Sequence, residues 1–193
     1  MKKWIGIGLA MALLLGVLSG CSLFGKKANG FVLYGTKDQV EAMAGKFKKE
    51  AKESDIYAAK LTMLEGKKVL VLTKKNGEAL VKKALLKKID NNHDVKAIDK
   101  LPVITAEQGV LFAQDKVENA TIDGAKLKYE GNIIIGDERL YADMYAIVDE
   151  ATFTKMKGEE KSVGVLKFDK DPSKDFPNKN GVEASEMVTI NKK

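Results

Sequence analysis

The sequence predicts an α+β fold, with a ferredoxin-like split βαβ first half and a mainly β second half carrying one further β-α-β unit. Two segments place apolar residues at helical spacing under a cover of lysines. They alternate with β-prone runs between Phe31 and Ile98 in the order β-α-β-β-α-β. From Gly109 onward, short apolar runs are separated by Asp-Gly and Gly turns, which reads as strands. A hydrophobic content of 45% with only 3 prolines supports a packed body.

Phe31 to Tyr34 is a short β-prone run ending at Gly35. Thr36 then begins a helix, and Gln39 three residues on completes a capping-box pattern. Val40, Met43, Ala44, Phe47 and Ala51 form its apolar face, while Lys46, Lys48, Lys49 and Lys52 take the other positions. Ile56 to Leu64 alternates as a strand, Glu65-Gly66 turns the chain, and Lys68 to Thr73 pairs back as a hairpin. Asn76-Gly77 leads into a second helix that buries Leu80, Val81, Ala84, Leu85 and Ile89 and exposes Lys82, Lys83, Lys87 and Lys88. A strand over Val95 to Ile98 completes the set.

Leu101-Pro102 marks a soft boundary between an α+β subdomain over residues 30–98 and a β-rich subdomain over residues 99–193. Thr105 to Gln108 has the composition of a capped single helical turn. Strands follow at Val110 to Ala113, Leu127 to Tyr129 and Ile133 to Ile135. Leu140 to Val148, a short helix capped by Asp149 and carrying Phe153 and Met156, and Ser162 to Phe168 make the β-α-β unit. The tail from Asp169 to Lys193 is polar, with Val182 to Ile190 its ordered part.

The first residues have a different logic. Lys2 and Lys3 precede an apolar run from Trp4 to Val17, well short of the roughly 20 apolar residues of a spanning helix. That is the layout of a signal peptide over residues 1–20. It ends in Leu18-Ser19-Gly20-Cys21, which resembles the lipobox of bacterial lipoprotein precursors, Leu-(Ala/Ser)-(Gly/Ala)-Cys. The resemblance implies a diacylglyceryl group on the Cys21 sulfur, cleavage before Cys21, and a palmitate-type lipid anchor at the extracytoplasmic face of the cell membrane. An ordinary cleaved signal and an uncleaved anchor are the alternatives. Residues 21–29 read as a tether in which Lys26 and Lys27 meet anionic head groups. The layout is also similar to small uncharacterised lipoproteins of Gram-positive bacteria.

Two pieces of the second half resemble the extracellular domains of FtsX-like and MacB-like permeases of ABC transporters. One is the strand pair in Lys126 to Ile134, with Gly131 between its strands; the other is the strand, Asp149, and helix from Tyr145 to Lys157. The resemblance implies an accessory or ligand-binding component associated with such a transporter.

The residue set offers little chemistry. Cys21 is the sole cysteine, so no intramolecular disulfide forms and no catalytic thiol remains once it is acylated. His93 is the sole histidine and sits in a polar loop, so zinc would have to rest on carboxylates around one ring. Asp169, Asp171, Ser173 and Asp175 alternate like a calcium loop, but Lys174 and Asn180 stand where an EF-hand needs Gly and Glu; that site is left open. The pairs Glu118/Asp123 and Asp137/Glu138 are candidate acid and base only if the fold brings them face to face. Gly35-Thr36 has one glycine and lacks the pattern of a phosphate cradle.

Removing Lys2 and Lys3 with the signal takes the net charge from +6 to +4, and Arg139 is the only arginine. Base and phosphate readout leans on the guanidinium fork, so no nucleic-acid partner is expected. The expectation is a non-enzymatic binding or interaction module at the cell envelope, with an envelope protein as partner and no cofactor or metal. A wall-polymer hydrolase would instead require two carboxylates facing across a groove.

Overall fold

The computed structural model describes residues 28–90, 94–177 and 181–191. The signal peptide, the lipobox with Cys21, the tether as far as Lys27, His93 and Asn180 lie outside the described residues.

The chain runs β1 (Gly30–Gly35), α1 (Lys37–Lys46), β2 (Ala51–Leu64), β3 (Lys67–Thr73), α2 (Lys74–Lys82), β4 (Leu86–Ile89), β5 (Val95–Ala97), β6 (Gln108–Ala113), β7 (Ala120–Ile122), β8 (Ala125–Tyr129), β9 (Ile133–Ile135), β10 (Met144–Val148), α3 (Glu150–Lys155), β11 (Glu159–Phe168), a 3₁₀ turn (Ser173–Asp175) and β12 (Ala184–Val188). One large sheet takes the order β12-β1-β11-β2-β3-β10-β6-β8-β7, and a small one the order β5-β4-β9.

The central strands alternate between two cores because the large sheet is covered on both faces, a situation that favours near-continuous apolar strands. Val32 and Tyr34 of β1, Leu70 and Leu72 of β3, and Tyr145 and Ile147 of β10 point to one side. There they meet α2 (Leu80, Val81) and the small sheet (Leu86, Ile133, Ile134, Ile135). On the opposite side Phe31 and Leu33 meet Val40, Met43 and Ala44 of α1. Further along that side, Val69, Val71, Met144 and Ala146 meet Phe153 and Met156 at α3. The result is three layers. Gly164 on β11 permits the close approach of α1, since a Cβ there would stand 2.6 Å from Val40 Cγ1.

Local chemistry starts each helix. Thr36 and Gln39 close a complete capping box, Gln39 N–H donating to Thr36 Oγ1 at 3.3 Å and Thr36 N–H to Gln39 Oε1 at 2.9 Å. Asp149 Oδ1 accepts from the N–H groups of Ala151 and Thr152. Thr73 accepts from Asn76 N–H at 3.2 Å, so α2 begins at Lys74, ahead of Asn76-Gly77.

Several expectations are corrected. The first-half strands do not close their own split βαβ sheet: β3 lies outside β2, and β4 belongs to the small sheet. Between β1 and β2 runs β11, and outside β1 runs β12, both antiparallel to β1. The slots that a split βαβ sheet gives to its third and fourth strands are therefore filled from the end of the chain. Strands from both sides of residue 98 alternate in this sheet.

The second helix does not reach Ile89. Ala84 takes a left-handed conformation (φ 56°) and Leu85 N–H bonds back to Leu80 O at 2.9 Å, a Schellman-type stop. Beyond it the period becomes that of a strand, which turns Lys87 inward instead of outward. Helix α1 likewise ends before Ala51, which opens β2. Thr105 to Gln108 is a turn closed by Gln108 N–H on Thr105 Oγ1 at 3.2 Å, and Gln108 begins β6. In the resembled piece Lys126 to Ile134, β8 and β9 are not a pair but sit in different sheets. In the β-α-β unit, β10 and β11 are separated by β2 and β3.

Glu65 (φ 51°) and Gly66 (φ 77°) form the two-residue turn between β2 and β3. Both positions are left-handed, where Asn is favoured over Glu. Glu65→Asn is expected to raise the unfolding free energy by about 0.5 to 1 kcal/mol; a urea denaturation midpoint that stays or falls contradicts the turn assignment.

Candidate functional site

Along β12, alternation sends Ala184, Glu186 and Val188 toward the core under the small sheet. Glu186 thereby places a carboxyl among apolar side chains and is 6% exposed. Its Oε1 accepts from the backbone N–H groups of Asp137 and, at 2.8 Å, Glu138. Its Oε2 has no hydrogen-bond partner among the described residues. The loop after β9 wraps the carboxyl closely at Gly136 (φ 83°), where a Cβ would stand 2.2 Å from Glu186 Oε2.

Tyr34 and Tyr145, 0% and 1% exposed, bring two hydroxyls into the same region, each without a well-formed partner among the described residues. Both belong to the core packed under the small sheet, although β1 and β10 are not neighbours in the large sheet. Arg139 lies over the Tyr145 ring with its guanidinium carbon 5.3 Å from the ring centroid. It donates to Asn132 Oδ1 (2.7 Å), Ile133 O (3.2 Å) and Asp143 O (3.0 Å). The lone arginine thus fastens the loop between β9 and β10. Lys87 of β4 holds the same loop through the Asp137 carboxylate.

A second chain of contacts leads to the surface. Tyr141 stacks on Tyr34 with centroids 4.9 Å apart, and its hydroxyl donates to Glu183 Oε2 at 2.6 Å. Buried Lys161 donates to Glu183 Oε1 at 2.6 Å and pairs with Glu159 at 2.6 Å.

Burial dominates the electrostatics. Loss of solvent pushes the Glu186 carboxyl up to about 8; the Asp137 N–H bond opposes this and the nearby Asp137 carboxylate adds to it. Burial also holds both tyrosines well above the ordinary phenol range, with each other and Glu186 adding to the rise in Tyr34. At neutral pH burial therefore favours the neutral acid form of Glu186. The arrangement can hold a proton in the core.

The candidates read from sequence are placed otherwise. Glu118 pairs with Lys116 at 2.7 Å, and Asp123 accepts from Lys157 N–H at 2.7 Å. Of Asp137 and Glu138, it is the backbone amides that build the site. Asp169 pairs with Lys52 at 2.8 Å, while Asp171 accepts from Ser173 N–H at 3.0 Å. Among the described residues no three His, Cys, Asp or Glu side chains gather where a metal ion would be held. Glu186, Tyr34 and Tyr145 were not singled out in the sequence. The alternation Ala184, Glu186, Val188, Ile190, with one carboxyl on its apolar side, is the signal that marks Glu186.

Among the grooves that open on the described residues, three border α2 or the Phe47 and Phe168 edge. One of about 460 Å³ lies between α2 and residues 99–104, beside Val103, which is 85% exposed. One of about 650 Å³ lies between α2 and β2, where Lys83 bridges Glu53 (2.9 Å) and Asp55 (2.8 Å). The third, of about 380 Å³, lies between Phe47 and Phe168.

Residues 28–191 match the model of a family described as an uncharacterised lipoprotein family. The crystal structure of a "Putative Lipoprotein from Bacillus anthracis" is similar at 36% identity and a TM-score of 0.78, over 85% of this chain and 100% of that chain. No curated protein matches.

The folded pKa of Glu186, about 8, exceeds its unfolded value near 4.5. Its stabilising contribution is therefore whole below about 4.5 and is lost as pH rises through about 8. Glu186→Gln is expected to flatten the fall in melting temperature between pH 6 and 9. A wild-type and variant difference that does not change with pH contradicts the neutral-acid assignment.

Proposed function

The chain belongs to an uncharacterised lipoprotein family, and from that premise we propose that it is a lipid-anchored, non-enzymatic binding module on the extracytoplasmic face of the cell membrane. The observation that carries this is positional. The body opens at Asn29 and Gly30, only a few residues after Cys21, directly as the buried strand β1. Among the described residues no helix is long and apolar enough to cross a membrane. On this reading attachment is through lipid on Cys21: one acyl chain holds a protein only marginally, whereas two chains hold it stably. The tether, at about 3.3 to 3.6 Å per extended residue, sets how far the body stands from the bilayer.

For the binding role, the groove between α2 and residues 99–104 offers an apolar wall of Val81, Leu101 and Val103, with three lysines (Lys74, Lys82, Lys100) against two carboxylates (Glu78, Asp99) on its lining. A protein partner with an apolar and acidic contact suits that surface. Association with an ABC transporter is the second reading, favoured by Tyr145 to Lys157, which folds as the strand, capping Asp149 and helix of the resembled permease segment.

Replacing Cys21 by Ala is expected to move the protein from the membrane pellet to the soluble extracytoplasmic fraction, with loss of the diacylglyceryl mass from the N-terminal peptide. Retention of Cys21→Ala with the lipid fraction overturns the anchoring.

A further inference from the structure

We propose that the groove between Phe47 and Phe168 is the docking site of the chain's own tether, Leu23 to Lys27. The argument begins at the point where the described body starts. Asn29 is pinned on both sides: its carbonyl accepts from Phe168 N–H at 2.8 Å, and its N–H donates to Val188 O at 3.1 Å. Phe168 is also the floor of the groove, so the chain leaves the body at the groove's edge. Leu23 to Lys27 is the next stretch of chain from that point.

The groove and the segment are complementary. Phe47, Phe168 and Pro172 supply apolar surface, continuous with an aromatic cluster in which the Phe31 ring lies 4.9 Å from Phe168 and 5.5 Å from Phe47. Glu50, Asp169 and Asp175 supply acidic rim, against Lys170 on the lining and Lys52 paired to Asp169. The segment Leu-Phe-Gly-Lys-Lys carries two apolar side chains and two lysines with no acidic residue. Leu23 and Phe24 suit the floor, and Lys26 and Lys27 the rim. A volume of about 380 Å³ accommodates a few side chains and not a whole helix.

Docking of an adjacent segment needs little intrinsic affinity, because the short connection makes the effective concentration high. What the docking achieves rests on the anchored reading: with the tether folded onto the body, the β1 end of the sheet is drawn to the bilayer, and release extends it. The docking itself does not depend on acylation.

The test is a disulfide trap in the full chain carrying Cys21→Ser, so that the introduced thiols are the only two. Gly25→Cys with Lys170→Cys is expected to close at least about tenfold faster under mild oxidation than Gly25→Cys with Lys116→Cys, whose second site lies beside the far edge strand β7. Adding Lys26→Glu and Lys27→Glu is expected to slow the first pair toward the second. Equal closure of the two pairs, or closure indifferent to the charge reversal, overturns the proposal. Because the serine variant carries no lipid, either result leaves the Cys21 anchoring to be judged by fractionation of the native chain.

Discussion

Everything in this body is arranged around the demand that β1 be satisfied on both faces and both edges. All six of its residues are buried, and each of its backbone edges needs a ladder. The strands that supply those ladders, β11 and β12, come from the far end of the sequence. Their arrival separates β1 from β2, fixes α1 and the stretch carrying Phe176 and Val182 on one face, and leaves the other face for the small sheet and α2. The cost is a high share of distant pairings, which closes slowly because loop entropy is lost before contacts form.

Ionisable side chains are also built into the interior. Lys60, Lys87, Lys161 and Glu186 are all buried, and each meets a specific group: Lys60 the Met156 carbonyl at 2.8 Å, Lys87 the Asp137 carboxylate, Lys161 two glutamates, and Glu186 two backbone amides. A buried charge without such a partner would be strongly destabilising. These contacts join loops to strands at chosen places and discriminate against slipped registers, since a one-residue slip would leave every one of them unpaired. Glu186 differs from the lysines in having half its carboxyl and two neighbouring hydroxyls unanswered.

The α+β class was legible because local signals are strong here: the Thr36 and Asp149 caps, the Glu65-Gly66 turn and the apolar runs at Val110, Leu127 and Ile133 lie where their residue types direct. Which strands pair was not legible. β1, β10, β3 from Val69 to Leu72 and β11 from Val163 to Leu166 are apolar on both faces, so composition does not distinguish one neighbour from another. The helix expected through Ile89 failed for a related reason: Leu85, Leu86 and Ile89 satisfy both periods, and a left-handed alanine at Ala84 leaves no compositional mark of the kind glycine does. The polar core site escaped notice because it depends on backbone amides, on a glycine close approach and on tyrosines from distant strands, none of which has a local signature.

The pinning of Asn29 has a mechanical side. A pull arriving through the tether enters at the foot of β1 and runs along that strand's axis. It therefore loads the ladders to β11 and β12 in shear, all rungs together, rather than peeling them one by one. A strand clamped between two antiparallel neighbours is a strong place to attach a rope, and under the proposed anchoring the load would enter there.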